Sequence, residues 1–305
     1  MSRSPISNVG SASTNSVSDY HLHLHPHGFT APVELFYGDG IIERYVAAAC
    51  EQGVTEVGFT EHLYRCVEAA DVLGYFWQDE PAHIHASNQQ MMELDVTLSL
   101  DGYVETVLAG NTQGLPVKLG LEVDFFPETI DAVVGFLAPY PFDHLIESVH
   151  WMGGLAVDPP WGAAEMRQRG LEACWDEYFG LLEQLGGSGP VDALAHADLV
   201  KKYGDRVDPE PVAWYERVAK AASMSGTAVE VSSAGLRSPA QEEYPSPTFV
   251  MVFDQFGVPV TLASDVHEPS EGGSGHAEVV NAARRAGYTS QLRFNERRSE
   301  EVELT

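Results

Sequence analysis

The sequence predicts an α/β fold, a TIM-like barrel that closes on itself within a single domain. From Asp19 onward, short apolar runs rich in β-branched residues alternate with helical patterns, and repeated strand–helix alternation indicates a parallel sheet. Seven or eight such units follow one another without a glycine-rich dinucleotide turn after the first strand, which favours a barrel over an open sheet. The length of 305 residues is also normal for this architecture, which typically takes roughly 250 residues.

The predicted elements fill the chain after residue 18. The predicted strands are 19–24, 55–60, 116–124, 144–150, 191–197, 227–233 and 258–264, with a last candidate at 288–294. The predicted helices are 40–52, 128–138, 170–185, 209–224, 246–256 and 276–286. The segment 63–98 is too long for a plain strand–helix connection, and we expect a lid or the wall of a pocket there. Residues 1–18 are rich in Ser and Asn, and we expect a disordered leader that precedes the barrel domain, 19–305.

Charge and cysteine content restrict the function. The chain has 17 Lys and Arg against 45 Asp and Glu, a formal net charge of −28, which argues against nucleic acid and anionic membranes as partners because both require positive surface. A phosphate substrate would then need local positive charge, which bound metal can supply.

The three cysteines, Cys50, Cys66 and Cys174, fit neither a disulfide framework nor a Cys-x-x-Cys site, so we expect reduced thiols in a cytoplasmic protein. No apolar run approaches the length of a transmembrane helix.

Histidines cluster at the end of the first predicted strand. His21 and His23 are two residues apart, so their side chains share one face of a strand and can bind the same ion. His25 extends this row if the strand reaches it, and Pro26 then ends the regular pattern. A soluble His-rich turn, or a processing artefact near the N-terminus, is the alternative interpretation.

Other side chains of the metal-binding type follow further predicted strands. A structural histidine or an ordinary salt bridge explains any one of them, but together they fall at the carboxyl-terminal rim, where barrels of this type build active sites. Imidazole and carboxylate suit Zn, Mn or Fe, and about eight ligands exceed what one ion needs. We therefore predict two or three divalent ions bridged by Glu122. The predicted ligands are His21, His23, His25, His62, Glu122, His150, His196, Asp265 and His267.

Seven short motifs carry these residues. They read DYHLH (19–23), GFTEH (58–62), GLEVD (120–124), SVH (148–150), HADLVKKY (196–203), EVSSAGLR (230–237) and ASDVH (263–267). In this order the set resembles the polymerase and histidinol phosphatase (PHP) superfamily, and within it the histidinol-phosphatase branch. The resemblance implies a distorted (β/α)7 barrel with a trinuclear metal site.

The resemblance also implies how the ligands divide among the ions. By matching position, one ion would be held by His21, His23, Glu122 and Asp265. A second would be held by Glu122, His150 and His196. His62 and His267 would contribute to the third ion, with a further residue from the loop after His23, for which His25 and His27 are the two candidates.

The activity that the resemblance implies is a phosphatase, with L-histidinol phosphate as the lead substrate. Metal ions can ionise water near neutral pH, and positive groups beside them help to stabilise the charge that spreads over the phosphoryl oxygens. Arg237, Lys201 and Lys202 are the candidates for binding the substrate, although a single loop cation is more often only solvated. Asp265 and His267 are the catalytic candidates for protonating the leaving alkoxide, with water as an alternative donor.

Two other functions stay open. The first keeps the metals but acts on another small phosphate or a phosphodiester, which the unusual segment 25–27 and the insertion 63–98 would allow. The second is a non-catalytic metal-binding accessory or regulatory protein. The complete ligand set weighs against it, since a degenerate enzyme usually loses at least one ligand.

Overall fold

A computed structural model of the chain describes residues 17–25, 38, 40–188 and 190–304. The strands are β1 Ser18–Leu22, β2 Glu56–Phe59, β3 Val117–Asp124, β4 His144–Ser148, β5 Trp151–Met152, β6 Leu155–Ala156, β7 Ala193–Leu194, β8 Ala228–Ser232, β9 Val260–Ala263, β10 Ser290–Asn295 and β11 Arg298–Glu303. The helices are α1 Ile41–Glu51, α2 Ala70–Leu73, α3 Ala82–Asp95, α4 Leu100–Thr112, α5 Ile130–Leu137, α6 Pro160–Arg169, α7 Leu171–Ser188, α8 Val212–Ser225, α9 Pro247–Gln255 and α10 His276–Ala286.

Seven parallel strands form the sheet, in the order β1-β2-β3-β4-β7-β8-β9. The sheet curls into a nearly closed barrel, because β1 and β9 approach each other at a parallel bridge between Leu22 and Val266. The amide of His23 donates to the carbonyl of Val266 at 2.9 Å, and the amide of Asp265 donates to the carbonyl of His21 at 2.7 Å. The predicted distorted (β/α)7 barrel is therefore confirmed.

The amino ends of the barrel strands are covered by the antiparallel hairpin β10–β11. Its connection reaches two acidic residues that precede strands: the amide of Glu296 donates to Asp143 at 3.0 Å, and Arg297 donates to Asp192 at 2.7 Å. Inside the barrel, Phe294 stacks against His144 with ring centroids 5.6 Å apart. The predicted strand 288–294 thus exists, but it pairs outside the barrel sheet.

The insertion 63–98 contains α2 and α3 and packs against the short hairpin β5–β6. Asn88 of α3 is fully buried, and its amide nitrogen donates to the carbonyl of Gly154 at 2.7 Å. A Cβ on Gly154 would lie 2.7 Å from the Cα of Trp77, so the hairpin fits closely against the insertion only with glycine there. These contacts make the segment a packed wall.

Some elements differ from the predictions. The structure adds α4, α6, the hairpin β5–β6 and the strand β11, for which no element was predicted. The predicted leader, 1–18, lies outside the described residues except for Val17 and Ser18; both are buried, and Ser18 begins β1. Across the described segments, no helix has both the length and the apolar character needed to cross a membrane.

Candidate metal centre

Eight of the predicted ligands come together at the carboxyl ends of the barrel strands. His21 and Glu122 lie in β1 and β3, and the other six lie one to four residues beyond the ends of β1, β2, β4, β7 and β9. Six of these side chains are buried, and the remaining two, Asp265 and His267, are each 16% exposed. The eight residues are His21, His23, His62, Glu122, His150, His196, Asp265 and His267.

The carboxylate of Glu122 lies at the centre of this cluster. Its Oε2 is 2.6 Å from Nδ1 of His62, and its Oε1 is 3.0 Å from Nε2 of His196. Nitrogen atoms of three further rings lie 3.5–3.6 Å from its oxygens: those of His21, His23 and His150. Burial alone would raise the pKa of Glu122, but the surrounding imidazoles outweigh it and hold the pKa well below its usual value. Glu122 is therefore an anionic bridge between the imidazoles.

Four groups of three side chains have the spacing of an ion-binding site. In each group, the potential ligand atoms lie within 4.8 Å of one another. The groups are His21–His23–Asp265, His21–Glu122–His196, His62–Glu122–His150 and His23–His62–His267. Because they share members, the groups adjoin one another, and the donor set of imidazoles and carboxylates fits several divalent ions side by side.

Two of these side chains extend from strained backbone. His196 and Asp265 have φ angles of 24° and 52°, a region that side-chain-bearing residues seldom adopt. Each follows its strand within two residues. Such strain persists only where surrounding structure enforces it, and it is concentrated at functional sites. Here the backbone strain occurs where the side chains of His196 and Asp265 turn toward the cluster.

Three of these histidines face Glu122 with Nε2 and contact a further carboxylate with Nδ1. The sequence analysis did not identify these three carboxylates. An oxygen of Glu230 lies 2.8 Å from Nδ1 of His21. An oxygen of Asp124 lies 2.8 Å from Nδ1 of His150. Oε1 of Glu61 lies 3.5 Å from Nδ1 of His23. In all three rings, Nε2 is then directed toward Glu122. Such carboxylates fix the tautomer and orientation of ligating histidines.

His25 lies beside this centre, in a different arrangement from the other candidates. Its Nδ1 is 2.6 Å from Oε2 of Glu61, and it belongs to none of the four groups found among the described residues. The carbonyl of His25 accepts a hydrogen bond from Arg65 at 3.3 Å. The other candidate from the same loop, His27, lies outside the described residues.

A cavity of about 270 Å³ opens on the centre. Its walls include His150, His267, Arg237 and Lys202. Arg237 donates to the carbonyl of Asp265 at 3.1 Å, which fixes the guanidinium beside the cluster. Burial alone would lower the pKa of Lys202, but the adjacent Asp158 outweighs it and raises the pKa. The cavity therefore has two cations next to the carboxylates and imidazoles.

The sequence analysis named Lys201 as a candidate for binding the substrate, but the structure buries its side chain. Its side chain is almost fully buried, and its ammonium lies 2.9 Å from Asp198 and 2.7 Å from Glu242. It also donates to the carbonyl of Glu243 at 2.8 Å. Lys201 is absent from the described lining of the cavity, and its position indicates a structural role.

The aromatic side chain of Tyr64 lies next to the centre and also belongs to a second cavity, in the insertion. The ring of Tyr64 lies 5.1 Å from that of His62 and 5.1 Å from that of Trp151. Tyr64 also lines a cavity of about 780 Å³, together with Phe76 and Trp77. Residues of the insertion thus form the wall of a cavity next to the candidate metal centre.

The chain is similar in sequence to two proteins that are named as histidinol-phosphatases. The chain is 33% identical over 251 residues to a probable histidinol-phosphatase of Deinococcus radiodurans, which covers 82% of this chain and 89% of the relative. It is 23% identical over 256 residues to the histidinol-phosphatase of Lactococcus lactis subsp. lactis, covering 82% of this chain and 83% of the relative.

Two solved structures share the fold. The histidinol phosphate phosphatase of Lactococcus lactis, solved with zinc, L-histidinol and phosphate, matches with a TM-score of 0.66 at 18% identity, covering 93% of this chain and 99% of that one. A putative histidinol phosphatase of Listeria monocytogenes matches with a TM-score of 0.65 at 18% identity, covering 86% and 99%. The family model of the PHP domain matches residues 21–234. The chain therefore belongs to the PHP domain family.

Proposed function

We propose that the chain is a metal-dependent phosphatase that hydrolyses L-histidinol phosphate to L-histidinol and phosphate. The observation that carries this proposal is the contact of Glu122 with five imidazoles in a buried centre. Membership of the PHP domain family and the 33% identity to a probable histidinol-phosphatase support the choice of reaction and substrate.

The donor atoms of the centre fit two or three divalent ions, for which Zn, Mn and Fe are suitable. Bound ions of this kind supply a nucleophile from water near neutral pH and screen the charge of phosphoryl oxygens. We propose that His21, His23 and Asp265 hold one ion, and that Glu122 joins it to a second. The remaining proposed ligands are His62, His150, His196 and His267.

The substrate contacts follow from the walls of the smaller cavity. We propose that Arg237 and Lys202 donate hydrogen bonds to the phosphoryl oxygens, because both line the cavity beside the ligand groups. Asp265 and His267 also line it, with Nδ1 of His267 3.9 Å from Oδ1 of Asp265. They remain our candidates for delivering the proton that the leaving alkoxide takes up.

A second candidate function is the hydrolysis of another small phosphate or a phosphodiester. The aromatic-lined cavity of about 780 Å³ beside Tyr64 favours it, since such a cavity accommodates a larger apolar leaving group.

For the compartment we propose the cytoplasm, supported by three cysteines that are all free thiols.

Metal removal and restoration test the proposal. We expect chelated protein to release no phosphate from histidinol phosphate, and readdition of manganese or zinc to restore release.

His150→Ala should lose most of the activity and part of the metal, whereas His83→Ala, which changes an exposed histidine of α3, should match the wild type. Turnover of a phosphodiester with inert histidinol phosphate would favour the second candidate. Full metal content without hydrolysis in a broad panel of phosphate esters would favour a non-catalytic protein.

A further inference from the structure

We infer that Asp158 is a positioning residue, which holds the ammonium of Lys202 at the wall of the cavity that opens on the metal centre. The carboxylate of Asp158 accepts a hydrogen bond from Nζ of Lys202. The two side chains are 30% and 27% exposed, and both line the cavity of about 270 Å³. The pair therefore lies at the surface of the cavity, in reach of a bound ligand.

The fold brings Asp158 to this place by way of the hairpin β5–β6. His150 directly precedes β5, and the return strand β6 ends two residues before Asp158. The amide of Val157 donates to the carbonyl of His150 at 2.9 Å, which holds Asp158 close to a proposed ligand. The hydroxyl of Tyr203 donates to the backbone carbonyl of Asp158 at 2.9 Å, so the residue is fixed from the side of Lys202 as well.

Lys202 needs such a partner more than Arg237 does. A lysine ammonium is a point charge on a flexible four-carbon chain, and ordering it reduces its rotamer freedom. Arg237 is fixed by its own bonds to Ser233 and to the carbonyl of Asp265. The ion pairs of Lys201 show the contrasting case, in which the ammonium itself is buried against Asp198 and is absent from the described lining of the cavity. Asp158 gives Lys202 a fixed position while leaving it at the cavity wall.

This inference rests on the proposed phosphatase function, but its consequence for phosphate binding is separate from the identity of the substrate. If Asp158 acts only through its charge, its removal makes the cavity more positive and strengthens the binding of an anion. If Asp158 acts by positioning Lys202, its removal weakens that binding. The two roles therefore predict changes of opposite sign.

The test is the affinity of the zinc-loaded protein for inorganic phosphate, measured by isothermal titration calorimetry. We expect Asp158→Asn and Lys202→Met each to weaken phosphate binding about tenfold, and the double variant to be no weaker than Lys202→Met alone, because contacting residues that act through one interaction are not additive. Glu183→Gln is the matched control, since it removes a carboxylate from an exposed ion pair with Arg217; it should bind as the wild type does. Zinc content and melting temperature verify that each variant is folded.

Asp158→Glu keeps the charge but displaces it, and it replaces Asp158→Asn if that variant does not fold. Unchanged or tighter phosphate binding in the Asp158 variant would overturn the inference, and so would fully additive losses in the double variant. Weakened phosphate binding in a protein that does not hydrolyse histidinol phosphate would uphold the inference and overturn the proposed substrate. Normal hydrolysis of histidinol phosphate with unchanged phosphate affinity in Asp158→Asn would overturn the inference and support the proposed substrate.

Discussion

The Nδ1 atom of His21 lies 2.8 Å from Oε2 of Glu230, and both side chains are fully buried. The other oxygen of the same carboxylate accepts a hydrogen bond from the backbone amide of His196 at 3.1 Å. One side chain of β8 thus fixes a ring from β1 and the strained backbone after β7. Glu230 therefore determines where two proposed ligands lie without being one of them.

We expect Glu230→Gln to weaken metal binding about 10- to 100-fold, the range typical when a carboxylate that orients a ligating histidine is replaced. Competition with a chromogenic chelator measures the affinity. Glu183→Gln, on the exposed surface of α7, should retain the wild-type affinity. Wild-type affinity in Glu230→Gln would show that the orientation of His21 does not depend on this carboxylate.

Asn88 connects the insertion to the hairpin that follows His150. Its side chain accepts from Nε1 of Trp151 at 3.1 Å and donates to the carbonyl of Gly154 at 2.7 Å. Asn88→Ala leaves both buried groups without these bonds, and we expect a loss of about 2–4 kcal/mol in the free energy of unfolding. Because the hairpin carries His150 at one end and Asp158 after the other, phosphate release should fall as well.

Urea denaturation of the metal-loaded protein measures the loss of stability in Asn88→Ala. The control is Gln89→Ala, the next residue of α3, whose side chain makes an exposed bond to Glu93. We expect that control to stay within about 0.5 kcal/mol of the wild type. Equal stability in the two variants would contradict the role of Asn88 as the anchor of the insertion.

The barrel and the convergence of the candidate ligands at one rim could be predicted from the sequence because both leave local signals. Each barrel strand is a short apolar run, and a ligand-type residue lies at or just beyond the end of several such runs, so parallel strands bring these residues to one rim. Helix α4 was missed although Leu100, Tyr103, Val104 and Val107 form a buried face. Its Gly102 and Gly110 weaken the helical signal, yet Gly110 is where α4 packs on Ile42 of α1.

The orienting carboxylates could not be separated from ordinary acids by sequence. Glu230 is 209 residues from His21, and nothing in its neighbourhood along the chain indicates which ring it contacts. Asp124 offered the stronger signal, since it is two residues from Glu122 on the same strand and thus on the same face. Lys201 and Lys202 show the same limit at one-residue spacing, because only the turn after His196 decides which of them reaches the cavity.

Gly120 permits close packing inside the barrel, and its substitution tests that packing. A Cβ at this position would lie 2.4 Å from Cε1 of His144 and 2.8 Å from the carbonyl oxygen of Phe59. We expect Gly120→Ala to lower the free energy of unfolding by about 1–3 kcal/mol or more, as overpacking does. Gly135→Ala in α5 is the control, since a Cβ there meets nothing within 4 Å, and it should raise stability by up to about 1 kcal/mol. Urea denaturation distinguishes the two, and equal effects would refute the close packing.

The last prediction concerns the acid stability of the fold and depends on His276, the first residue of α10. Burial lowers the pKa of His276 to about 4, and the nearby Glu278 offsets only part of this effect. An unfolded histidine titrates near 6.5, so between these values the unfolded chain binds the proton and the folded protein does not. The stability that His276 contributes is therefore present above pH 6.5 and is lost as the pH falls toward 4.

From pH 7 to pH 5, this linkage amounts to about 2 kcal/mol. Because the ligands of the metal centre also take up protons, the comparison is made on chelated protein, by urea denaturation at both pH values. His276→Gln cannot titrate, and we expect its loss of stability over this interval to be about 2 kcal/mol smaller than that of the wild type. The control is Gln89→Ala, which removes no titratable group from the exposed surface of α3 and should lose as much as the wild type. Parallel losses in the wild type and in His276→Gln would mean that the buried ring takes up its proton without unfolding the barrel.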